Sequence, residues 1–393
     1  MPTSAPRLAQ FSWSAFPWNG TGELRHQALA HLGKWRWRSL FQVGVWPWFG
    51  STESMDEQMP WGRGKSVSRP GGSEPAGPPV DPGGRALPFY HLPVLLQEVL
   101  DVLQPGPDKL FFDGTLGGGG HTEALLQHGA RVVAMDQDDE ALAHAGARLK
   151  PYEDRFCALR GNFRNFAQVL GEAGVGLFDG MLIDIGVSSR HLDAPERGFS
   201  FAREGPLDMR MDTTSPLTAA DIVNTYPQEE IERILREYGE EPQARRIARA
   251  IVHDRASRPF TTTLQLAGMI ERVCPKHGRR HPATLTFQAL RIETNQEIAA
   301  LREFLTAAPH WLKPGGRLAV ITFHSIEDRV VKQAFQALST PFLDRPEWPS
   351  PRPNPDCLTR LLSRKPVEAS PAELELNPRA RSARLRAVER LPA

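Results

Sequence analysis

The sequence predicts an α/β fold, an open and mostly parallel sheet interrupted by an all-helical block. Three observations predict it. Short apolar runs alternate with helical patterns from about residue 91 to 189. No convincing strand follows between Pro195 and about Pro282, where the patterns are helical, and a strand reappears within residues 312–325. The alternation opens with LFFDGTLGGGGHTEALL (110–126) and VVAMDQD (132–138). This order reads as strand, glycine loop, helix, and a second strand ending in the carboxylate of Asp136, the opening unit of a nucleotide-binding sheet.

Residues 1–88 stand apart. Seven of the nine tryptophans fall in the first 61 positions, eleven prolines lie between Pro2 and Pro88, and residues 66–85 are rich in Gly, Pro and Ser. Arg7, Arg25, Lys34, Arg36 and Arg38 face a single acid, Glu23, within the first 50 residues. The segment is expected to be a disordered extension or upstream sequence translated from a mis-called start, which leaves the protein in a bacterial-type cytoplasm. An Arg-rich targeting presequence leading to the mitochondrial matrix is the alternative.

From residue 91 the elements follow in order. HLPVLLQEVLDVL (91–103) carries apolar residues at helical spacing, with Pro93 at a tolerated first-turn position. A strand at 110–112, the glycine loop and a helix ending before Gly129 come next, then the strand at 132–136. DDEALAHAGARL (138–149) is a helix with an acidic start. FCALRGNF (156–163) is a third strand and its exit, AQVLGEAG a short helix, and FDGMLIDIGVSS (178–189) a fourth strand running into a loop of small residues. Helices are predicted at 227–239, 242–255 and 263–274, then one long helix over 285–312. LKPGGRLAVITFHS gives a turn, a strand and a polar exit, and a helix covers 326–338. A Pro-rich loop (341–355) and an Arg-rich tail, NPRARSARLRAVER (377–390), follow.

Composition excludes several classes. The 47 basic and 46 acidic residues leave a net charge of +1, so a nucleic-acid surface has to be a local patch. Cys157, Cys274 and Cys357 lack CxxC spacing, which argues against a zinc site, any other metal site built on them, or a disulfide framework. No apolar run approaches the roughly 20 residues that span a bilayer.

The glycine loop fails two strict tests. No choice among Gly114 and Gly117 to Gly120 satisfies GxGxxG, and Gly120 is followed by His121 rather than the Lys-Ser or Lys-Thr of a phosphate-binding loop. What remains is close main-chain approach to a ligand, with Asp136 placed to accept hydrogen bonds from a ribose. The LKPGGRL strand is of a kind common late in S-adenosylmethionine (SAM) methyltransferase domains, and SAM carries no phosphate. The exit of the fourth strand, LIDIGVSS, places Asp184 where an open sheet puts catalytic groups. There an acceptor can bond the N–H of an exocyclic amine and favour sp3 character as a methyl approaches. Methylation at cytosine carbon 5 requires a cysteine nucleophile; none of the three cysteines follows the fourth strand.

HLPVLLQEVL, DGTLGGGGHT, MDQD, LIDIGVSSRHLDAPERGFSFAREGPLDMRMD, YGEEPQARRIARAIV, HPATLTFQALRI, GGRLAVITFHSIEDRVVK and NPRARSARLR run in unbroken order over about residues 90–390. Together they resemble the RsmH (MraW) family of SAM-dependent enzymes that methylate N4 of a cytidine in the decoding region of small-subunit ribosomal RNA. The resemblance implies a Rossmann-like SAM methyltransferase sheet with an inserted all-helical domain. The expected division is the extension 1–88, a first methyltransferase segment 89–194, a substrate-recognising insertion 195–284, and a second methyltransferase segment 285–393 with a basic tail. It implies Gly119, Gly120 and His121 at the methionine end of SAM, Asp136 on the ribose, Phe163 by the adenine, and Asp184 beside both cofactor and target amine. Two positions depart from the family pattern. His191 stands in SSRHLD where bacterial relatives usually have Gln, still able to make one hydrogen bond to the cofactor. Glu293 follows FQALRI where an apolar residue is usual.

The RNA side is argued from charge. Arg197, Arg210, Arg329, Lys332, Arg379 and Arg381 are the leading candidates for phosphate contact, within a wider set that includes Arg203, Arg245, Arg246, Arg249, Arg384 and Arg386. The cytidine has to be unpaired or turned out of its stack, with Phe199, Phe201 or Phe323 as its clamp. His324 or water is the eventual proton acceptor. The alternatives are a SAM-binding ribosome-assembly factor without turnover, or an amino-methyltransferase acting on another RNA.

Overall fold

The computed structural model describes residues 92–274 and 281–392. The expectations for residues 1–88, extension or presequence, fall outside the described residues.

The first half is strand–helix alternation driven by buried apolar strands. In chain order it comprises α1 (Leu96–Leu103), β1 (Leu110–Asp113), α2 (Gly120–Gln127), β2 (Arg131–Asp136), α3 (Asp139–Leu149), β3 (Phe156–Arg160), α4 (Phe166–Glu172), β4 (Phe178–Asp184) and the short α5 (Ser189–Asp193). The central strands are buried on both faces, so they read as near-continuous apolar runs. Phe112, Met181 and Ile183 face α4 and later helices, while Phe111 and Leu182 face α1 and α2. α3 starts where its sequence says it should: the Asp138 carboxylate accepts the Glu140 amide at 3.0 Å as an N-cap.

Next come α6 (Ala219–Thr225), α7 (Gln228–Gly239), α8 (Ala244–Arg255), α9 (Thr263–Val273), α10 (Thr284–Asn295) and α11 (Glu297–Ala307). Apolar residues at helical spacing, such as Ile231, Ile234 and Leu235 on α7 and Ile247, Ala248 and Ile251 on α8, close a core of their own between β4 and the next strand. Tyr238 packs against both this core and that of the sheet. Helix α6 was not anticipated, although Thr218 and Asp221 form a complete capping box.

The chain then returns to the sheet with β5 (Leu312–Thr322) and α12 (Ser325–Leu338). After these come β6 (Phe342–Leu343), β7 (Arg352–Pro353), β8 (Thr359–Leu361), β9 (Val367–Glu368), α13 (Pro371–Leu376) and β10 (Arg384–Arg390). The sheet order is β3-β2-β1-β4-β5-β10-β8, with β9 also on β10. Strands β3 to β5 are mutually parallel, and β10 runs antiparallel to β5. The order reverses at β1, so the crevice beyond the carboxyl ends of β1 and β4 is the natural place for a ligand. No helix among the described residues is long and apolar enough to cross a membrane.

Three expectations are corrected. The predicted helix over 285–312 is two, because Gln296 takes a left-handed φ of 50° between α10 and α11. The first helix begins at Leu96 rather than around Pro93, since Leu95 is left-handed and donates its amide to Glu373 at 2.7 Å. The second half of the Arg-rich tail, residues 384–390, is a sheet strand, preceded by a 3-10 turn over Pro378–Ser382. Leu385, Ala387 and Val388 of β10 are buried, and Arg384 and Arg386 both pair with Asp328 of α12. Composition advertised the arginines and hid the alternation beneath them.

Candidate active site

The glycine loop is shaped by two constraints. Gly119 caps α2 with φ of 77°, and a Cβ there would lie 3.2 Å from Leu149 and 3.3 Å from Ala145 of α3. Only glycine meets both the left-handed backbone and this close approach. Gly120, the first residue of α2, sits against the Pro93 ring. Asp113 holds the loop from below, accepting Thr122 Oγ1 at 2.7 Å and the Thr115 amide at 3.1 Å. Burial still pushes its carboxyl above the usual range.

Asp136 ends β2 and fixes the loop from the other side. Its Oδ2 accepts the Gly117 amide at 2.8 Å and its Oδ1 the Asp138 amide at 2.9 Å. Burial outweighs these bonds and raises its carboxyl to about 6. Each oxygen retains a second lone pair for a ligand hydroxyl. Phe163 lies across the loop, with its Cβ 3.1 Å from the position a Gly114 Cβ would take and its ring edge-on to Phe304.

His121 and Asp184 meet at the centre. The imidazole Nε2 is 2.9 Å from the Val94 carbonyl, so Nε2 carries the proton and Nδ1 faces Asp184 Oδ2 at 3.8 Å. The Asp184 amide donates to Thr115 Oγ1 at 2.7 Å, fixing the end of β4 against the loop. Asp184 Oδ1 is buried and accepts no hydrogen bond from the described residues. Burial raises this carboxyl to about 6; His121 opposes the shift, and Asp113 and Glu327 add to it.

A second charged group, missed in the sequence, closes the site from β5 and α12. The Glu327 side chain is fully buried and accepts the Phe323 and His324 amides at 2.9 and 3.3 Å. Its other oxygen lies 2.8 Å from His324 Nε2 and 3.7 Å from Arg291. Arg291 in turn forks onto Glu297 with two contacts of 2.8 Å. The signal was present: HSIE matches the helix-start pattern, with His in place of Ser as the cap.

Several predicted residues are placed elsewhere. His191 does not offer a free nitrogen to a cofactor. Its Nε2 donates to Asp138 at 2.8 Å, its Nδ1 accepts the Ser188 amide at 3.3 Å, and its ring stacks on Phe199. Arg197 joins the same carboxylate at 3.1 Å and spends its other nitrogen on the Arg210 and Met211 carbonyls. Burial alone would raise the Asp138 carboxyl, but the His191 bond and the Arg197 charge hold it well below the usual range. Arg197 is therefore a structural tie rather than a phosphate ligand. Arg210 is likewise enclosed, forked on Asp208 and bonded to the Thr213 and Ser215 carbonyls.

Arg329 pairs with Glu240, which also accepts Ser325 Oγ at 2.6 Å. Arg379 lies 3.6 Å from Asp193. Lys332 and Arg381 are exposed and form no ion pair among the described residues. Of the three candidate clamps, Phe199 is covered by His191, and Phe201 lies between His281 and Phe287. Phe323 alone sits by the reacting end, its ring 3.2 Å from where a Gly186 Cβ would be. Glu293 is half-buried on α10; burial raises its carboxyl and Arg233 opposes the rise.

The donor set fits SAM. The loop offers close main-chain approach without a phosphate-binding lysine, Asp136 keeps acceptor capacity for a ribose diol, and the orphaned Asp184 oxygen is an acceptor awaiting a polar partner. Ribosomal RNA small subunit methyltransferase H of Carboxydothermus hydrogenoformans is 49% identical over 306 residues, covering 77% of this chain and 98% of that one. The protein of the same name from Symbiobacterium thermophilum is 50% identical over 311 residues, covering 78% and 98%. Among solved structures, an rRNA methylase from Streptococcus thermophilus aligns with 77% of this chain and 99% of its own at 11% identity, with a TM-score of 0.36, too remote to bear on function. Residues 88–391 match the model of the MraW methylase family, and the chain belongs to that family.

Proposed function

We propose that this SAM-dependent methyltransferase methylates the N4 amine of a cytidine in the decoding region of small-subunit ribosomal RNA. The observation that carries the reading is the buried Asp184 Oδ1 without a hydrogen-bond partner, at the carboxyl end of β4 and across from the glycine loop. The names of relatives about half identical to this chain over nearly their whole length supply the substrate class. The reading puts the protein with ribosomes in a bacterial-type cytoplasm.

When bound, SAM supplies a methyl group on a sulfonium sulfur. The residues around it do the rest by position and charge. Gly119 and Gly120 would admit its methionine end, Asp136 would take the ribose and Phe163 would flank the adenine side, while His121 is held in one tautomer by Val94. Asp184 accepts one N–H of the amine, which draws the nitrogen lone pair out of the ring and toward the methyl. Once N4 has gained the methyl it must lose a proton, and a carboxylate raised to about 6 can take it and release it to water. A carbon-5 reaction has no nucleophile here. Cys157 lies within β3, with burial pushing its thiol up, Cys274 ends α9, and Cys357 lies between β7 and β8; none directly follows β4.

The test is methyl transfer from radiolabelled SAM to small subunits, with the product digested to nucleosides. N4-methylcytidine is expected. Protein that binds SAM yet yields no labelled cytidine would sink the proposal.

A further inference from the structure

We infer that the groove between α12 and the final strands of the sheet is a second RNA-docking site, gripping the phosphodiester backbone away from the reacting base. The inference rests on the RNA substrate proposed above. The groove has a volume of about 370 Å³ and is lined by Lys332, Gln336, Ser363, Arg364 and Arg386 over an apolar floor that includes Phe335. Among the described residues no carboxylate lines it.

The acids nearby are already neutralised. Asp328 takes Arg386 at 2.6 Å and Arg384 at 3.4 Å, while Glu389 takes Arg360 at 2.7 Å and Arg317 at 3.1 Å. Lys332, Arg364 and the adjoining Lys365 are exposed and form no ion pair among the described residues. On a chain of net charge +1, this is a local excess of positive charge that no carboxylate among the described residues pairs. Unpaired Lys and Arg over an apolar floor suit phosphates with sugars laid against the floor, a contact that positions a strand without reading its sequence.

The groove is also correctly placed. His324 caps α12 beside the Asp184 site, and Lys332 lies eight residues further along the same helix, about 12 Å at about 1.5 Å per residue. A strand gripped at Lys332 and Arg364 is within reach of the carboxylate with a nucleotide or more between, which anchors the RNA while the target base is turned out.

The test compares wild type with K332E/R364E, and with K332Q/R364Q as the milder pair. Binding of a looped rRNA fragment is followed by fluorescence anisotropy between 50 and 200 mM salt, alongside methyl transfer to the same fragment and SAM affinity as a check on folding. Each lost phosphate contact should lower the slope of log K against log salt by about 0.7, so the charge-reversed pair should lose about 1.4 and bind roughly 25-fold more weakly at 0.1 M salt. The neutral pair should show the same direction with a smaller loss. KM for RNA should rise and SAM affinity stay within about twofold. Unchanged RNA affinity and salt slope in both double variants would overturn the groove. Wild type that binds RNA and SAM but transfers no methyl would instead count against the function proposed above, so the two readings fail separately.

Discussion

Asp184 is held ionised against its surroundings, and the Asp184→Asn variant measures both sides of that arrangement. In the unfolded chain the carboxyl titrates near 3.8; in the fold it is raised to about 6, chiefly by burial. The native state thus binds this proton more tightly than the unfolded state, and stability falls as pH rises between the two values. At about 1.4 kcal/mol per tenfold, that interval amounts to about 3 kcal/mol of destabilisation, absent below 3.8 and fully present above about 6. The amide carries no charge and escapes it. Cofactor-free Asp184→Asn should therefore melt roughly 5 °C above wild type at pH 7.5, with the difference vanishing toward pH 4. Turnover should fall about 10²- to 10³-fold, the usual loss when an electrostatic partner of the transition state is removed. Wild-type kcat/KM should drop about tenfold per pH unit below 6, and the variant should lose that dependence. Scanning calorimetry across pH, paired with the methyl-transfer assay, reads both. Equal melting temperatures at pH 7.5, or undiminished turnover, would refute the reasoning.

Three further outcomes are expected. Gly119→Ala forces a left-handed alanine against Leu149 and Ala145, and should cost about 1–2 kcal/mol and weaken SAM binding, read by denaturant melts and calorimetric titration. Arg197→Ala leaves the Asp138 Oδ2 with His191 alone and strands two carbonyls, and should destabilise by about 3 kcal/mol in urea melts. RNA affinity should change far less if Arg197 is the tie described. Asp328→Ala removes the shared partner of Arg384 and Arg386, and should cost about 2–3 kcal/mol, with hydrogen exchange accelerating first along β10.

What the sequence made legible was whatever local pattern decides. The strand–helix alternation, the glycine loop and the carboxylates of Asp136 and Asp184 follow from residue types in a short window, and the structure sets His121 beside Asp184 at 3.8 Å. The remainder depends on partners distant in the chain. Nothing near His191 says that its ring will be taken by Asp138, 53 residues earlier. Arg197 and Arg210 read as surface cations because charge is visible in sequence, whereas the carbonyls that enclose them are not. Glu327 and Glu297 were overlooked for the converse reason: helical glutamates are usually solvated, and only packing shows these two buried around Arg291. The break at Gln296 carries no glycine or proline to announce it, and the strand at β10 was masked by its own arginines.

The bond from Leu95 to Glu373 ties positions 278 residues apart, and Asn377 reaches back to the Leu92 carbonyl across 285. Between these anchors lies Val94, whose carbonyl orients the His121 imidazole. At roughly 5–20 residues per second, a ribosome needs on the order of 15–55 s to make the chain between the two ends of that tie. Throughout this interval the segment carrying Val94 lacks its restraint, and β5, once made, keeps an open edge until β10 follows. The catalytic end thus matures last, and a growing chain still attached to its ribosome is an incomplete enzyme on the very class of particle it is proposed to modify.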